Sequence, residues 1–291
     1  MITREIINKV RKIEIKTRGL SNHIFAGEYH SAFKGRGMTF SDVREYIPGD
    51  DIRAIDWNVT ARFNHPYVKV FEEERELTVI LLVDVSASGN FGTISQFKKD
   101  LITELCAVLS FSAIQNNDKI GIIFFSDQIE KFIPPKKGKT HILRIIRELI
   151  EFKPANKRTN ISEALRYVSN VIKKKSIVFV ISDFSDKNFE DALKYTNKKH
   201  DVVALQIFDP RETELPDVGL IRLEHAETGE TMEIDSNNRE IRYKYKKMAI
   251  QKDKRLNEAF AKSGIDWIKL RTDQNYVTEL MILFKKRGRK A

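Results

Sequence analysis

The sequence predicts an α/β fold, built on a doubly wound, mostly parallel sheet with helices on both faces. Three near-continuous apolar runs, at 77–84, 176–183 and 202–209, have the composition of strands that are buried on both faces. Apolar residues at helical spacing lie between these runs, so strands and helices alternate along the chain. Such alternation places successive strands side by side and parallel in a single sheet.

The individual elements can be justified in order from the first buried run. The strand at 77–84 is followed by a helix over about 95–114, in which apolar residues recur at helical spacing. Strands at 119–127 and 129–135 lie so close in sequence that they predict a hairpin. The two consecutive prolines of the second strand favour the edge of the sheet. Later helices are predicted at about 139–152, 161–174, 188–199 and 274–286, and a last strand at 265–272.

The chain divides into two parts at the start of the first buried strand. Residues 1–76 contain glycines, a Pro-Gly pair and few periodic runs, which predicts a separate N-terminal module that is partly β. Residues 77–291 form the predicted α/β domain. An insertion interrupts this domain at about 213–262. It comprises a hairpin over 218–235 that turns at a Thr-Gly pair, and a long charged helix over about 238–262.

The amino-acid composition restricts the classes of protein that the chain can represent. With 291 residues it is long enough to bury a large core, and its one cysteine excludes an intramolecular disulfide and a zinc ribbon. That cysteine, Cys106, is expected to be a small core residue of the first helix. There is no apolar run of about 18 residues and the charged start does not resemble a signal peptide. We therefore expect a cytoplasmic protein without a membrane span.

The positive charge of the protein is concentrated at its C-terminal end. Residues 237–291 hold 16 Lys and Arg against 6 Asp and Glu, an excess of ten that equals the whole net charge of +10. The simplest interpretation is a solvated helix face and a frayed tail. A docking surface for an acidic partner, and binding of nucleic acid or anionic lipid, are the alternatives. Nucleic-acid binding is less favoured because the charge is not spread over the chain.

Polar side chains follow two of the buried strands at the point where each strand ends. Asp84, Ser86 and Ser88 form a D-x-S-x-S turn after the first strand, and Asp183 ends another. Thr159 lies in the loop before a later helix. Ligands of a doubly wound sheet bind outside the carboxyl ends of its strands, so these five side chains are expected in one crevice. Two carboxylates and three hydroxyls are an oxygen-only set that favours Mg²⁺, or Mn²⁺, over softer ions.

The charges of the five side chains favour a site that binds an external ligand over a purely structural metal site. Two aspartates neutralise a divalent ion and the hydroxyls add no charge, so the ion can accept another carboxylate from outside. The alternative is that Ser86 and Ser88 only cap the helix that follows them, as serines often do.

The five residues resemble the metal-ion-dependent adhesion site, or MIDAS, of von Willebrand factor A domains. In that family the D-x-S-x-S turn is followed by a threonine and an aspartate in later elements, and this chain has a residue of the right type at all five positions. The resemblance implies that the hydroxyls and the first aspartate hold Mg²⁺ directly or through water. It also implies that a partner often supplies an acidic side chain as the last ligand.

A second resemblance covers the N-terminal module. The segments GRGMTF (35–40), REYIPGDD (44–51), RAIDW (53–57) and TAR (60–62) are similar to domain-of-unknown-function family 58, or DUF58. In this bacterial family such a stretch directly precedes a von Willebrand factor A domain. Together the two resemblances extend over nearly the whole chain.

The DUF58 resemblance carries an expected function. Members are usually encoded beside MoxR-type AAA+ ATPases and are thought to act as their metal-dependent adaptors. This implies a protein–protein interaction adaptor, not an enzyme, that works with a MoxR-type ATPase in assembly or remodelling of an unidentified client protein. A Mg²⁺-dependent phosphohydrolase that uses Asp84 or Asp183 is one alternative. Binding of nucleic acid or an anionic membrane through residues 237–291 is the other.

Charged residues of the N-terminal module admit two interpretations. Asp50, Asp51 and Asp56 have the sequence context of turns and helix caps, with ligand binding as the alternative. Arg44 is expected to pair with carboxylates of the module, or else with those of a partner. Trp57 is expected in the core.

Overall fold

The fold is built on a six-stranded sheet. The computed structural model describes residues 8, 10–14, 16–17, 33, 38–73, 76–92, 96–224 and 226–289. The strands are β1 (Met38–Glu45), β2 (Tyr67–Glu73), β3 (Thr78–Asp84), β4 (Lys119–Phe125), β5 (Ile129–Lys136), β6 (Ile177–Ser182), β7 (Asp201–Phe208), β8 (Leu220–Glu224), β9 (Thr231–Asp235) and β10 (Asp266–Arg271). The helices are α1 (Trp57–Phe63), α2 (Lys98–Gln115), α3 (Lys139–Glu151), α4 (Ile161–Val171), α5 (Glu190–Lys199), α6 (Arg239–Ser263) and α7 (Tyr276–Gly288). Among the described residues, none of the helices has the length and hydropathy of a membrane-spanning segment.

The six strands follow the order β10-β7-β6-β3-β4-β5, and β5 is antiparallel to its neighbour while the other pairs are parallel. The predicted fold class is therefore confirmed, as are the β4–β5 hairpin and its position at the sheet edge. β3 lies between β6 and β4, with Val83 opposite Ile181 in the β3–β6 pair. The strands that lead into Asp84 and Asp183 are thus direct neighbours.

Each face of the sheet carries its own apolar core. Leu81 and Val83 of β3 pack with residues of α2, α3 and α7, and buried Cys106 lies in this layer, as predicted. Ile80 and Leu82 point to the opposite face and pack with residues of α4, α5 and α6. All these side chains are buried, which explains why β3 is a continuous apolar run in the sequence. Each aliphatic side chain buried in this way stabilises the fold by about 1.5–3 kcal/mol.

The predicted hairpin and long helix follow β7. β8 and β9 pair antiparallel, and Gly229 adopts a left-handed φ of +73° in the turn between them. α6 ends at Ser263 and is capped by Gly264, whose φ of +66° lets the chain reverse towards β10. These elements agree with the predicted hairpin and helix to within a few residues.

The N-terminal residues 38–73 contain a two-stranded antiparallel sheet, β1–β2, and the short helix α1. Asp51 and Asp56 cap a 3₁₀ turn and α1 respectively, by accepting hydrogen bonds from backbone N–H groups. Asp50 makes two 2.7 Å hydrogen bonds with the guanidinium of Arg44. The turn, cap and pairing interpretations of these residues are therefore confirmed.

Trp57 does not lie in a core. It is the first residue of α1 and is 68% exposed. The prediction is wrong because α1 buries none of its described residues, so the indole ring at its first position stays on the surface.

Part of the chain before residue 77 packs on the α/β domain. Phe33 is buried, and its ring makes edge contacts with Phe179 and Phe284 at centroid separations of 5.8 and 5.7 Å. Val10 and Ile13 pack against the same core. These N-terminal side chains therefore contribute to the interior of the α/β domain.

The basic C-terminal end is better ordered in structure than a frayed tail. Arg287 lies in the last turn of α7 and is 4% exposed. Its guanidinium donates to the carboxylates of Asp201 and Asp266, and it lies 4.6 Å from the ring centroid of Phe33. The predicted tail is wrong at this residue, because α7 continues to Gly288 and directs the arginine towards the strands β7 and β10.

Candidate metal centre

Asp84 ends the central strand and lies at the carboxyl edge of the sheet. It is buried, and its Oδ1 accepts a hydrogen bond from the backbone N–H of Ser86 at 3.0 Å. Its Oδ2 accepts a 2.6 Å hydrogen bond from the hydroxyl of Ser182, the last residue of β6. The carboxylate thus joins two neighbouring strand ends. Within the part of the chain that the structure describes, Asp84 forms no ion pair within 4.0 Å.

The two serines of the turn contact each other, with their hydroxyl oxygens 3.1 Å apart. Ser86 precedes a 3₁₀ turn over Ala87–Asn90, but its side chain makes no capping hydrogen bond there. The interpretation that the serines only cap the next helix is therefore wrong for Ser86. The hydroxyl of Ser88 also interacts with Asp183 and contributes to the lowered pKa of that carboxyl.

Asp183 follows β6 and is held by a buried lysine. Lys98, from the first turn of α2, is 1% exposed. Its Nζ lies 3.1 Å from Asp183 Oδ2 and 2.5 Å from Glu212 Oε1. The other carboxylate oxygen of Asp183 accepts a 3.0 Å hydrogen bond from the backbone N–H of Ser185. The second aspartate of the site is therefore already paired with one positive charge.

The two aspartates have opposite pKa shifts because their neighbours differ. Burial, and next the negative charge of Asp183, raise the pKa of Asp84 to about 7, although three hydrogen bonds oppose the shift. Burial acts on Asp183 in the same direction, but the positive charges of Lys98 and Lys252 outweigh it and lower the pKa of Asp183 to about 2. The crevice therefore disfavours the second carboxylate charge until a cation is added.

Thr159 lies in the loop between α3 and α4, beside the serine turn. The carbonyl of Lys157 accepts a 3.1 Å hydrogen bond from the backbone N–H of Ala87, which fixes the loop against that turn. The Thr159 hydroxyl donates to Glu227 Oε1 at 2.9 Å, and Glu227 belongs to the turn between β8 and β9. The structure thus joins Asp84, Ser86 and Ser88 by hydrogen bonds and places Asp183 at the adjacent strand end. It brings Thr159 next to them through its loop.

Several side chains at this edge were not identified from sequence patterns. Lys98 begins a helix, where lysines are ordinarily solvated, so hydropathy gives no signal of its burial. Glu212 and Glu227 follow β7 at positions that only tertiary structure relates to the serine turn. Ser182 does carry a signal, because a polar residue at the end of an otherwise apolar strand is unusual.

The residues present fit a hard divalent cation. Neighbouring ligands in an octahedral Mg²⁺ shell lie about 3 Å apart, because each is about 2.1 Å from the ion. The serine hydroxyl oxygens have this separation, and two carboxylates supply negative charge. In the described ranges, no three His, Cys, Asp or Glu side chains group as metal ligands, so the hydroxyls are needed for a full set. The ion would be held by Asp84, Ser86, Ser88, Thr159 and Asp183, and would supply an electrophilic centre.

Sequence comparison relates this chain to proteins over most of its length. The family model described as "Protein of unknown function DUF58" matches residues 42–255. The "Uncharacterized protein Rv1480" of Mycobacterium tuberculosis (strain ATCC 25618 / H37Rv) is 28% identical over 285 residues, which are 97% of this chain and 90% of the relative.

Solved structures resemble the fold at low sequence identity. An aerotolerance-related membrane protein from Bacteroides fragilis NCTC 9343 is 15% identical, with a TM-score of 0.52, and the match covers 74% of this chain and all of that one. The VWA domain of SpRpn10 is 8% identical, with a TM-score of 0.36 over 74% of this chain and 95% of that one. The B. fragilis structure thus shares the α/β fold of this chain. The DUF58 model matches well over half of the residues, so the protein belongs to the DUF58 family.

Proposed function

We propose that this protein is a metal-dependent adaptor, which captures a partner protein through an ion held at the carboxyl edge of its sheet. The observation that carries the proposal is the pair of hydrogen bonds that joins Asp84, Ser86 and Ser88. Asp183 follows the strand next to that of Asp84. This arrangement gathers oxygen ligands from two adjacent strand ends, where doubly wound sheets bind their ligands. With Thr159 beside them, these side chains would hold Mg²⁺ or Mn²⁺.

Charge balance at the site favours capture of a carboxylate. Asp84 and Asp183 together neutralise a divalent ion, and the hydroxyls add no charge. Lys98 contributes a further positive charge next to Asp183. An ion in this setting is short of negative charge, so an acidic side chain of a partner is a favourable last ligand. The rest of the interface would supply most of the affinity, because a single coordinated carboxylate is only an anchor.

We expect two partners, which are a MoxR-type AAA+ ATPase and a client protein. Support for this comes from the resemblance to DUF58 proteins that are encoded beside such ATPases. In this arrangement the ATPase performs the ATP-driven work in the cytoplasm, and the adaptor selects the target. The chain itself then needs no catalytic residue.

Metal binding can be tested by calorimetry with the purified protein. Wild type is expected to bind Mg²⁺ and Mn²⁺ weakly, and Asp84→Ala is expected to abolish binding because it removes a charged ligand. Asp191→Ala, at an exposed position of α5, is the control for loss of one acidic residue. Equal Mg²⁺ binding by Asp84→Ala and wild type would overturn the site.

Partner capture is tested separately, at constant Mg²⁺, because the ATPase itself requires the ion. The double variant Ser86→Ala/Ser88→Ala removes two hydroxyl ligands without a change in net charge. We expect it to lose affinity for the purified MoxR-type ATPase or its client in a surface-binding assay. Ser162→Ala, at a half-buried position in the first turn of α4, is expected to bind like wild type. Equal affinity of the double variant and wild type would rule out metal-bridged recognition.

A further inference from the structure

The β8–β9 hairpin brings a carboxylate of the protein itself to the candidate metal centre. Glu227 Oε1 lies 2.9 Å from the hydroxyl oxygen of Thr159, 68 residues earlier in the chain. Ala226 and Thr228, on either side of Glu227, are exposed, whereas Glu227 is half-buried. The tip of the hairpin therefore directs one acidic side chain inwards, onto a predicted ligand.

The separation of these two oxygens is compatible with a shared ion. Two neighbouring oxygens of an octahedral Mg²⁺ shell lie about 3 Å apart. The distance from Thr159 to Glu227 is of this size, as is the distance between the hydroxyls of Ser86 and Ser88. A cation bound by Thr159 would have the Glu227 carboxylate within reach of the adjacent coordination position.

The hairpin is fixed at its base and exposed along its strands. At the base, the Ser236 hydroxyl donates to the carbonyl of Gly219 at 2.6 Å and accepts from the backbone N–H of Val218 at 3.1 Å. Along the strands, Leu220 and Met232 are 71% and 62% exposed. Because little apolar surface is buried there, displacement of the tip needs the loss of few packing contacts.

We infer that Glu227 is an internal ligand of the ion, and that it takes the position which a partner's carboxylate must occupy. The hairpin is then a self-supplied competitor, and partner capture requires its tip to move away. This inference rests on the proposed function, since it needs an ion at the site. The simpler role for Glu227 is to accept a hydrogen bond from Thr159 and nothing more.

The variant Glu227→Gln separates these two roles, because a glutamine can still accept the hydrogen bond but lacks the anionic ligand. Removal of a side chain that supports the metal shell lowers the affinity for the metal by about tenfold or more. We therefore expect Mg²⁺ affinity, measured by calorimetry, to fall by at least this factor. Glu230→Gln, at an exposed position of the same turn, is the matched control and is expected to keep the wild-type affinity.

A second measurement uses Mn²⁺, whose bound water molecules speed the relaxation of solvent protons. When Glu227 leaves the ion, water takes the open position. We expect greater solvent-proton relaxation per bound Mn²⁺ in saturated Glu227→Gln and Glu227→Ala than in wild type and Glu230→Gln. A lower affinity together with faster relaxation supports the internal ligand.

The outcomes separate this inference from the proposed function. Suppose that wild type binds Mg²⁺ and that Glu227→Gln has the same Mg²⁺ affinity and the same solvent-proton relaxation with Mn²⁺. This result would overturn the internal ligand and would leave the metal-dependent adaptor unaffected. A lower Mg²⁺ affinity with unchanged relaxation would also overturn it, because the effect then acts through Thr159. Absence of Mg²⁺ and Mn²⁺ binding to wild type would overturn both.

Discussion

The ammonium of Lys98 lies 3.1 Å from Asp183 Oδ2, and both side chains are almost completely buried. The same ammonium contacts Glu212, which follows β7. One lysine therefore joins the start of α2, the end of β6 and the segment after β7. Because buried charges are stable only when they are paired, this cluster holds the three elements in one arrangement.

Lys98→Met is expected to destabilise the protein strongly. The substitution leaves Asp183 buried without its cation, and removal of one partner of a buried pair costs about 3–5 kcal/mol. Chemical denaturation followed by circular dichroism measures the change. Lys244→Met removes the exposed Lys244–Glu240 pair of α6 and is expected to change stability by less than about 1 kcal/mol. Equal stability of the two variants would contradict a structural role for the buried cluster.

The two aspartates of the site are expected to affect metal-free stability in opposite ways. Above pH 7 the ionised form of Asp84 opposes folding, because its pKa is raised to about 7 in the folded state. The ionised form of Asp183 favours folding, because its pKa is lowered to about 2. We therefore measure thermal denaturation in EDTA at pH 8. The midpoint of Asp84→Asn should be no lower than that of wild type, whereas the midpoint of Asp183→Asn should be lower. A larger loss for Asp84→Asn would contradict the assignment of charges.

Buried His200 is expected to make the fold sensitive to acid. Burial, and next the charge of Lys199, lower the pKa of His200 from 6.5 to about 4. Between these values the unfolded chain binds more protons than the folded one, so the free energy of unfolding falls as the pH falls from about 6.5 to 4. The midpoint of chemical denaturation should fall less steeply with decreasing pH in His200→Phe than in wild type. The same slope in His200→Phe would contradict the prediction, and His65→Phe, at an exposed position, is the control.

Arg287→Met is expected to weaken the packing of α7 on the sheet. The substitution leaves Asp201 and Asp266 without the cation that they share, so we expect a loss of about 3 kcal/mol in the free energy of unfolding. Arg289→Met, two residues further on at an exposed position, should behave like wild type. If thermal denaturation gave the same midpoint for both variants, α7 would not depend on this ion cluster.

Much of the sheet edge could be predicted because it depends on local sequence. β3 and β6 are buried on both faces, so each is an apolar run with an abrupt polar end, and parallel pairing brings both ends to one edge. Asp84 and Asp183 follow from these two facts. The N-caps Asp51 and Asp56 are similarly local, since a cap bonds to its own backbone.

The features that could not be predicted depend on contacts between distant segments. Lys98 is buried only because Asp183 and Glu212 reach it from other elements. Glu227 meets Thr159 only because the hairpin after β7 folds back over the sheet edge. Trp57 shows the opposite error, since its apolar character predicted burial, whereas no described residue of α1 is buried.

The hydrogen bonds that Thr272 donates to the end of β7 have an evolutionary consequence. Thr272 donates its hydroxyl to Asp209 at 2.8 Å and its backbone N–H to the carbonyl of Phe208 at 3.1 Å, so the points where the chain leaves β7 and completes β10 are fastened together. The entropy required to close a loop rises only slowly with its length. The hairpin and α6 can therefore lengthen, shorten or change their surface while the sheet is inherited unchanged. Relatives that keep the same sheet can in this way differ in the surface that the hairpin and α6 present.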